Sequence, residues 1–298
     1  MEALRLGFDD CGISRADFLE FDSERLKTWL EKGYHAGLGY MERNKDKRTD
    51  PRKLVEGAKS VISVIMNYFP SQNQQDPGAP VLSKYYYGKD HHQVVKKRLS
   101  ELLLFIRKMI PGSDGRVFTD SVPLLEKAFA ARSGMGWIGK NSLLLTKKYG
   151  SFIYIGDLIV NIELEYDIPV KDHCGTCEKC IRACPTRALI GERILDLNRC
   201  ISFHTIENKT DSMPENLRGL FRNRVFGCDI CQDVCPWNRK LKSHSVEELN
   251  PHPDLLYMSN REWHSINRER FNELFKGSAV KRAKFEGLRR NLDFLAGS

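Results

Sequence analysis

The chain has 298 residues, of which 41% are hydrophobic and 29% charged, and its formal net charge is +8. These values are ordinary for a globular protein with a sizeable core of one or two domains. They exclude a membrane-spanning chain, because no apolar run approaches the length of a span. The basic balance indicates a polyanionic partner.

The first part of the chain predicts mostly helix over residues 1–50. The start, Met1–Arg5, leads into no apolar signal segment, so we expect the cytoplasm, where cysteines stay reduced. Residues 33–41 hold three glycines in the series Gly33, Gly37 and Gly39, which predicts a loop close to a ligand or to another backbone. The cations that follow, from Arg43 onward, form either a solvated surface or an edge that contacts phosphate.

A β-branched run over residues 61–66 predicts a buried strand, and the proline-containing residues 70–80 predict an exposed loop. The run of tyrosines and histidines at 85–92 fits either the start of a helix or a substrate or cofactor contact. His91 and His92 are neighbours, so we expect them to face different ways and not to share a metal. Apolar spacing predicts an amphipathic helix over 94–109.

The sequence Asp120-Ser-x-Pro predicts the start of a helix, with Asp120 as a capping residue and Gly134 at the stop. The glycines of residues 134–142 follow a helix rather than a strand, so they do not predict a dinucleotide site. A P-loop is also excluded, because Gly139-Lys140 is followed by Asn141. Residues 152–160 predict a strong strand.

A dense cysteine motif occupies residues 174–185, with the spacing C-x2-C-x2-C-x3-C-P. This spacing is typical of bacterial ferredoxins that bind [4Fe–4S] clusters, and its fourth cysteine serves a second cluster. Zinc sites use two C-x2-C pairs, so the additional cysteines would be surplus. Disulfides would need an oxidising compartment.

A second, incomplete motif lies at residues 228–236, with Val225 where its first cysteine would stand. Cys200 is the candidate for the missing ligand. We therefore expect one cluster on Cys174, Cys177, Cys180 and Cys235, and the other on Cys184, Cys200, Cys228 and Cys231. The ninth cysteine, Cys11, is expected to pack as a small apolar residue.

Three segments are predicted from these features. Residues 1–165 form an α/β domain, residues 166–240 a ferredoxin-like module with two clusters, and residues 241–298 a basic helical segment. Lys281, Arg282, Lys284, Arg289 and Arg290 gather in what we expect to be one helix. This helix is either a solvated face or a nucleic-acid contact.

Two such clusters relay single electrons, and a further cofactor must carry out the chemistry. Without a dinucleotide fingerprint, a mononucleotide flavin or a corrin remains. The corrin motif D-x-H-x-x-G is absent around Asp172-His173, so a bound corrin would lack that histidine ligand.

The order of motifs resembles the epoxyqueuosine reductase family. The resemblance is carried by Asp120-Ser-x-Pro-x-x-Glu-Lys, Gly136-Trp-Ile-Gly-Lys-Asn, the motif from Cys174, Cys200-Ile-Ser, and Gly227-Cys-Asp-x-Cys-Gln-Asp-Val-Cys-Pro-Trp-Asn. It implies an α+β protein: a nitroreductase-like α/β domain that binds base-off cobalamin, the two-cluster module and a short helical segment. Many members continue into helical repeats, and residues 280–292 resemble the first part of that segment.

The resemblance also implies site residues. Asp120 is the implied proton donor, and Arg43, Asp120 and Ser202 are the implied cobalamin contacts. Tyr86, His92 and Lys209 carry over to the corrin and tRNA surfaces. To act as an acid near neutral pH, Asp120 would need its pKa raised by burial beside the corrin.

The implied activity is the reduction of epoxyqueuosine to queuosine in tRNA, the last step of queuosine biosynthesis. The modified base lies in the anticodon loop, where an unpaired base can enter a pocket. The implied electron donor is a flavodoxin or a ferredoxin, and we expect a monomer without a membrane partner.

Two alternatives remain open. A reductive dehalogenase-like corrinoid enzyme would share the clusters and the corrin but needs no basic tRNA face. A non-catalytic iron–sulfur protein, for electron transfer or tRNA binding, would show no turnover.

Overall fold

The structure is a computed structural model that describes residues 2–297. Its α-helices are α1 Glu2–Arg5, α2 Glu20–Glu31, α3 Gly39–Glu42, α4 Lys45–Thr49, α5 His91–Met109, α6 Glu126–Arg132, α7 Lys179–Ala183, α8 Ile230–Asp233, α9 Pro253–Tyr257, α10 Asn260–His264, α11 Arg268–Leu274 and α12 Lys284–Ala296. Its strands are β1 Asp10–Arg15, β2 Ser60–Asn67, β3 Val81–Leu82, β4 Gly115–Phe118, β5 Trp137–Ile138, β6 Leu144–Leu145, β7 Ile153–Val160, β8 Leu189–Gly191, β9 Ile194–Leu195 and β10 Arg224–Phe226.

The main sheet has the strand order β1-β2-β7-β4, and all of its neighbouring strands are antiparallel. β2 and β7 pair along their whole lengths, from Ser60 opposite Val160 to Asn67 opposite Ile153. Every residue of β2 is buried, because helices cover both faces of the sheet. The strands predicted at 61–66 and 152–160 are confirmed.

Side chains of β2 alternate between the two faces, as the two-residue period of a strand requires. Val64 joins the core beneath α5, whereas Ile65 joins the core beneath α6. Helix α5 approaches β7 at Gly156, where an added Cβ would lie 2.6 Å from Val95 Cγ1 and 2.8 Å from Leu99 Cδ1. The predicted amphipathic helix is confirmed, with its start at His91.

The prediction of mostly helix over residues 1–50 is wrong at β1. This strand pairs with β2 from Asp10 opposite Ile65 to Arg15 opposite Ser60. At Gly12 an added Cβ would lie 2.3 Å from Ser133 O, so the strand packs directly on the chain behind α6. Pairing with a buried neighbour decides the conformation here, and local sequence does not reveal it.

The helix predicted to begin at Asp120 begins instead at Glu126, with Leu125 in the N-cap position. Asp120 is not a capping residue, because its φ of 49° places it in the left-handed region. Aspartate reaches that region more readily than most residues do. The stop is confirmed: Gly134, with φ of +75°, follows the end of α6.

The cysteine-rich part is built from two short helices and small two-stranded pairings. Helices α7 and α8 contact each other and carry Cys180 and Cys231. β8 and β9 form an antiparallel pair between them in sequence. β10 pairs in parallel with β3, which connects this part to the chain just before α5.

The C-terminal helices share a core with earlier segments. Trp263, Leu288 and Leu292 lie in one buried cluster with Leu82 and Val225. Residues from all three predicted segments thus meet in this core, and the boundaries at 165 and 240 stay predictions.

The basic helix expected around residues 281–290 begins only at Lys284, whose φ of 59° separates α12 from a 3₁₀ turn over Ala279–Ala283. Among the described helices, none combines the length and the apolar character needed to cross a bilayer.

Candidate active site

Asp120 and His92 face each other at the start of α5. His92 Nε2 lies 3.2 Å from Asp120 Oδ2, and His91 Nε2 lies 3.9 Å from the same oxygen. The His92 contact is an ion pair that lacks the alignment of a hydrogen bond. Because 52% of the Asp120 side chain is exposed, a ligand can reach the carboxylate.

Asp90 fixes the orientation of His92. Its Oδ1 caps the helix by accepting from the His92 backbone N at 3.0 Å, and it lies 2.6 Å from His92 Nδ1. The imidazole therefore bridges two carboxylates, with Nδ1 towards Asp90 and Nε2 towards Asp120. Asp90 thus both caps the start of α5 and positions the His92 ring.

His91 occupies a different environment beside His92. Its Nε2 lies 2.8 Å from Tyr85 Oη, and its ring stacks on Tyr154 with centroids 4.4 Å apart. The two histidine rings are only 4.2 Å apart, so the expectation that they face different ways is wrong. At the first residues of a helix, both side chains fold back over the cap.

The surroundings drive the two histidine pKa values apart. Asp120 and Asp90 raise the pKa of His92 to about 9. Burial, assisted by the charge of His92, lowers the pKa of His91 to about 4. At neutral pH His92 therefore carries a proton and His91 does not.

Partial removal from water tends to raise the pKa of Asp120, but His92, His91 and Arg282 outweigh this effect and hold it below its usual value. The residues of this chain therefore do not by themselves raise the pKa of Asp120. In the free protein the proton of the Asp120–His92 pair resides on the imidazole.

Glu126 holds the loop that carries Asp120. The backbone N of Asp120 donates to Glu126 Oε1 at 2.5 Å. Burial raises the pKa of Glu126 well above its usual value, and the charges of Asp157 and Asp120 add to this. Burial likewise raises the pKa of Asp157 to about 7, although Ser63 donates to its Oδ1 at 2.5 Å.

Tyr40, Tyr86 and Arg282 complete the rim of the site. Burial raises the pKa of both tyrosines, and the charges of Glu207 and Asp120 add to this effect. Arg282 belongs to the C-terminal segment, and its positive charge lowers the pKa of Asp120. Sequence reasoning missed Tyr40, although it marked the glycine-rich loop that holds it as close to a ligand.

The other residues predicted for the site lie farther away or act elsewhere. Arg43 is exposed and makes no side-chain hydrogen bond or ion pair with any residue of the described chain. Ser202 is half-buried, and its hydroxyl interacts with the Cys200 thiol. Lys209 Nζ donates to Ile206 O at 3.2 Å. Of the implied contacts, the structure brings Tyr86 and His92 to Asp120.

A basic groove of about 1090 Å³ lies between residues 206–218 and the C-terminal segment. Its lining includes Lys209, Arg282 and Lys284, together with Arg268 and Arg289, which pair with acidic residues. Arg282 belongs both to this groove and to the surroundings of Asp120. Arg282 thus connects the surroundings of Asp120 with this groove, which neither Asp120 nor His92 lines.

Four cysteines come together at one end of the cysteine-rich part. Burial raises the pKa of the Cys180 thiol, and the charges of Cys235 and Cys174 add to this. Burial also raises the pKa of the Cys235 thiol, and the charges of Cys174 and Cys177 add to this. Cys174 and Cys235 also pack in one buried cluster with Trp137.

The other cysteines of the two motifs form a second group. Burial raises the pKa of Cys228 to about 12, with a contribution from Cys200. Burial raises the pKa of the Cys200 thiol, with a contribution from Cys184. It also raises the pKa of the Cys231 thiol, with contributions from Cys228 and Cys200. Cys231 also interacts with Cys180, so the two groups lie next to each other.

Two N–H groups already point at cysteine sulfur. Trp137 Nε1 donates to Cys174 Sγ at 3.4 Å, and the backbone N of Ala188 donates to Cys184 Sγ at 3.2 Å. Hydrogen bonds of this kind help to set the potential of iron–sulfur clusters. Crowded thiols with raised pKa values also suit iron, since metal charge offsets the repulsion between thiolates.

All nine cysteines are free thiols. Cys11 lies on β1, half-buried against the core beneath α5, and burial raises the pKa of its thiol to about 11. It packs as a small apolar residue, as expected.

Comparison with known proteins identifies two matching family models. Residues 173–238 match the model described as 4Fe-4S double cluster binding domain, and residues 48–121 match Epoxyqueuosine reductase QueG, DUF1730. The chain is 52% identical over 294 residues to the epoxyqueuosine reductase of Cellulophaga algicola, with 99% of this chain and 95% of the relative covered. It is 38% identical to that of Escherichia coli, with 94% and 74% covered.

Solved structures agree over nearly the whole chain. An epoxyqueuosine reductase bound to a tRNA-Tyr epoxyqueuosine-modified stem loop has a TM-score of 0.90 and 32% identity, and covers 98% of this chain and 78% of its own. The Bacillus subtilis enzyme, in a form with its catalytic aspartate loop swung out of the active site, has a TM-score of 0.88 and 30% identity, with the same coverage.

Proposed function

The chain belongs to the epoxyqueuosine reductase family, and on this premise we propose that it reduces epoxyqueuosine to queuosine in tRNA. The epoxide loses its oxygen as water and becomes an alkene, with the uptake of two electrons and two protons. The observation that carries the proposal is the Asp120–His92 pair, a proton source whose surroundings share Arg282 with a basic groove.

The chain carries two [4Fe–4S] clusters, which relay single electrons. We assign Cys174, Cys177, Cys180 and Cys235 to the first and Cys184, Cys200, Cys228 and Cys231 to the second. The packing of Cys235 and Cys174 in one buried cluster supports the placement of Cys235 with the first motif.

Residues 1–165 are proposed to be nitroreductase-like and to hold base-off cobalamin, which would supply a strongly reducing cobalt centre next to the epoxide. The amide periphery of a corrin needs polar partners. Asn141 Nδ2 and Ser142 Oγ are buried without hydrogen-bond partners, close to the exposed Lys127 that donates to Ser142 O at 2.8 Å. These orphaned atoms fit such a ligand, and Arg43 and Ser202 remain proposed contacts.

The protein's own part in the chemistry is proton delivery. Opening the epoxide develops negative charge on its oxygen, which a positioned acid stabilises. The His92 Nε2 proton passes to Asp120 Oδ2, and Asp120 passes it on to the epoxide oxygen. A second proton follows by the same path and allows the hydroxyl to leave as water.

The proposed substrate is the anticodon loop of a tRNA, held by Arg282 and Lys209, with Tyr86 beside the modified base. A tRNA stem loop bound to a relative supports this. Phosphate contacts of this kind weaken with added salt. A flavodoxin or ferredoxin as donor, a cytoplasmic location and a monomeric state remain predictions.

Nucleoside mass spectrometry tests the activity. Epoxyqueuosine-containing tRNA is incubated without oxygen with the cluster-loaded protein, cobalamin and a chemical reductant. We expect the modified nucleoside to lose one oxygen only when cobalamin is present. An unchanged nucleoside, with both clusters and cobalamin shown to be bound, would overturn the proposal.

A further inference from the structure

A second concave surface, of about 600 Å³, lies over the cysteine-rich part and away from the groove. We name it the arginine surface, after Arg182, Arg187, Arg199 and Arg222, and it also includes Cys184 and Ile190. It shares no residue with the groove that holds Lys209 and Arg282. The proposed function does not account for it.

The arginine surface carries a high positive charge that is exposed to solvent. Of its lining residues, four are arginines and none is acidic. Within the described chain, the Arg187, Arg199 and Arg222 guanidiniums make no hydrogen bond or ion pair, and all three side chains are exposed. Arg182 forms one exposed ion pair, with Glu178 at 3.0 Å. Three cations left without partners on one surface are available to an external anion.

Two of these arginines have an unusual backbone conformation. Arg187 has a φ of 53° and Arg222 a φ of 46°, both in the left-handed region that favours glycine. The chain nevertheless places long cationic side chains there. At Arg187 the turn is fixed by the neighbouring residues, since Arg187 N donates to Cys184 O at 3.1 Å and Ala188 N to Cys184 Sγ at 3.2 Å.

This turn places the cations directly beside a proposed cluster ligand. Cys184 itself lines the surface, and Ile181 and Ile190 add apolar area around it. A protein docked here would contact a ligand of the second cluster. An apolar patch with a charged rim is typical of weak, transient protein contacts.

We propose that the arginine surface is the docking site for an acidic one-electron carrier protein. The inference rests on the proposed function, which consumes two electrons per epoxide. In each encounter the carrier is oxidised by one electron and the cluster held by Cys184 is reduced by one. Two encounters thus supply one turnover.

The alternative occupant, RNA, fits this surface less well. Single-stranded nucleic acid is bound by combining basic side chains with aromatic rings that stack on bases. The residues that line this surface include no aromatic ring. The tRNA is proposed above to bind in a different groove, and the binding of its phosphates does not require contact with a cluster ligand.

The test measures cluster reduction directly, so it does not depend on tRNA turnover. The triple variant R187N/R199Q/R222N removes three charges, and asparagine tolerates the two left-handed positions. A matched control, K96Q/K97Q/K108Q, removes three charges from exposed positions of α5. Each cluster-loaded protein is mixed with photoreduced acidic flavodoxin, and the loss of cluster absorbance is followed by stopped flow.

We expect the rate constant for reduction to fall at least about 10-fold in the arginine variant and to lose most of its dependence on salt. The lysine variant should stay within about twofold of the original protein. Reduction by reduced methyl viologen, a small cation, and the affinity for the tRNA stem loop should both be unchanged.

Other results would overturn the inference. Equal losses in both triple variants would mean that net charge alone matters. Slower reduction by methyl viologen would mean that the cluster itself is damaged. Weaker tRNA binding with unchanged flavodoxin kinetics would make this an RNA surface. A protein that shows normal flavodoxin kinetics but no epoxide reduction would instead contradict the proposed function.

Discussion

The backbone amide of Asp120 donates a 2.5 Å hydrogen bond to the side chain of Glu126, six positions later in the chain. This bond ties a residue in the left-handed region to the first turn of α6. It holds the loop in the position in which the Asp120 carboxylate faces His92. Glu126 is therefore a positioning residue for Asp120.

Replacing Glu126 tests this role. Glu126→Gln keeps an acceptor and should retain most of the activity, because the raised pKa already favours a neutral side chain. Glu126→Ala removes the acceptor and should lower the single-turnover rate about 10-fold, the effect of losing one useful hydrogen bond. Equal rates in the two variants would show that the bond does not position Asp120.

Asp120→Asn should abolish most of the turnover. Asparagine tolerates the left-handed φ, so the loop should keep its shape while it loses the acid. We expect a fall of about 10²–10⁴-fold in the rate of epoxide reduction. Iron content and stem-loop affinity serve as controls and should not change. Full activity would remove Asp120 from the mechanism.

The rate should depend on pH through His92. Its pKa is raised to about 9 by two carboxylates, so the proton of the pair is present at neutral pH and is lost as the pH rises through about 9. The single-turnover rate should fall over the same range, and His92→Gln should be slow without this alkaline limb. An identical limb in that variant would assign it to another group.

Stability should follow the same titration. A base whose pKa is raised by folding binds its proton more tightly in the native state. The stabilisation by His92 is therefore complete below its unfolded pKa, about 6.5, and disappears as the pH rises through about 9. The difference in Tm between the original chain and His92→Gln should shrink over this range. A constant difference would contradict the pKa.

Cys200→Ala should remove one cluster and leave the other. Iron should fall from about eight to about four atoms per chain if Cys200 completes the second cluster. Cys11→Ala is the matched control, because this thiol packs against the core and should not bind iron. Unchanged iron in Cys200→Ala would require a different ligand.

Arg282→Gln should weaken binding of the tRNA stem loop. Removing one phosphate contact should reduce the slope of log affinity against log salt by about 1. The pKa of Asp120 should rise as well, because Arg282 helps to hold it down. Lys97→Gln, on the exposed side of α5, should alter neither property.

Features set by local spacing could be predicted from the sequence. The cysteine motifs, the strands around Val64 and Gly156, and helix α5 all follow from short-range patterns. β1 could not be predicted, because its conformation depends on pairing with residues 45 to 55 positions away. Asp120 was identified through the family resemblance, whereas its backbone conformation contradicts the helix start that its neighbours predict.

The partners of Asp120 show the same limit. His92 was expected near the substrate. Its contacts with both Asp90 and Asp120 could not be predicted, because they depend on two distant segments meeting in space. Tyr40 and Arg282 come from opposite ends of the chain and carry no motif. The proton's residence on His92 depends on these contacts, and no pattern in the sequence contains them.

Trp263 and Leu288 share a buried hydrophobic core with Leu82 and Val225. Through this core, the loss of an iron–sulfur cluster would also lower the stability of the fold. Val225 lies three positions before Cys228, so the last helices pack against the segment that is proposed to hold the second cluster. Oxygen damage to the second cluster would then loosen helices that contain no cysteine at all. Protease sensitivity near residues 255–292 would report the loss of iron.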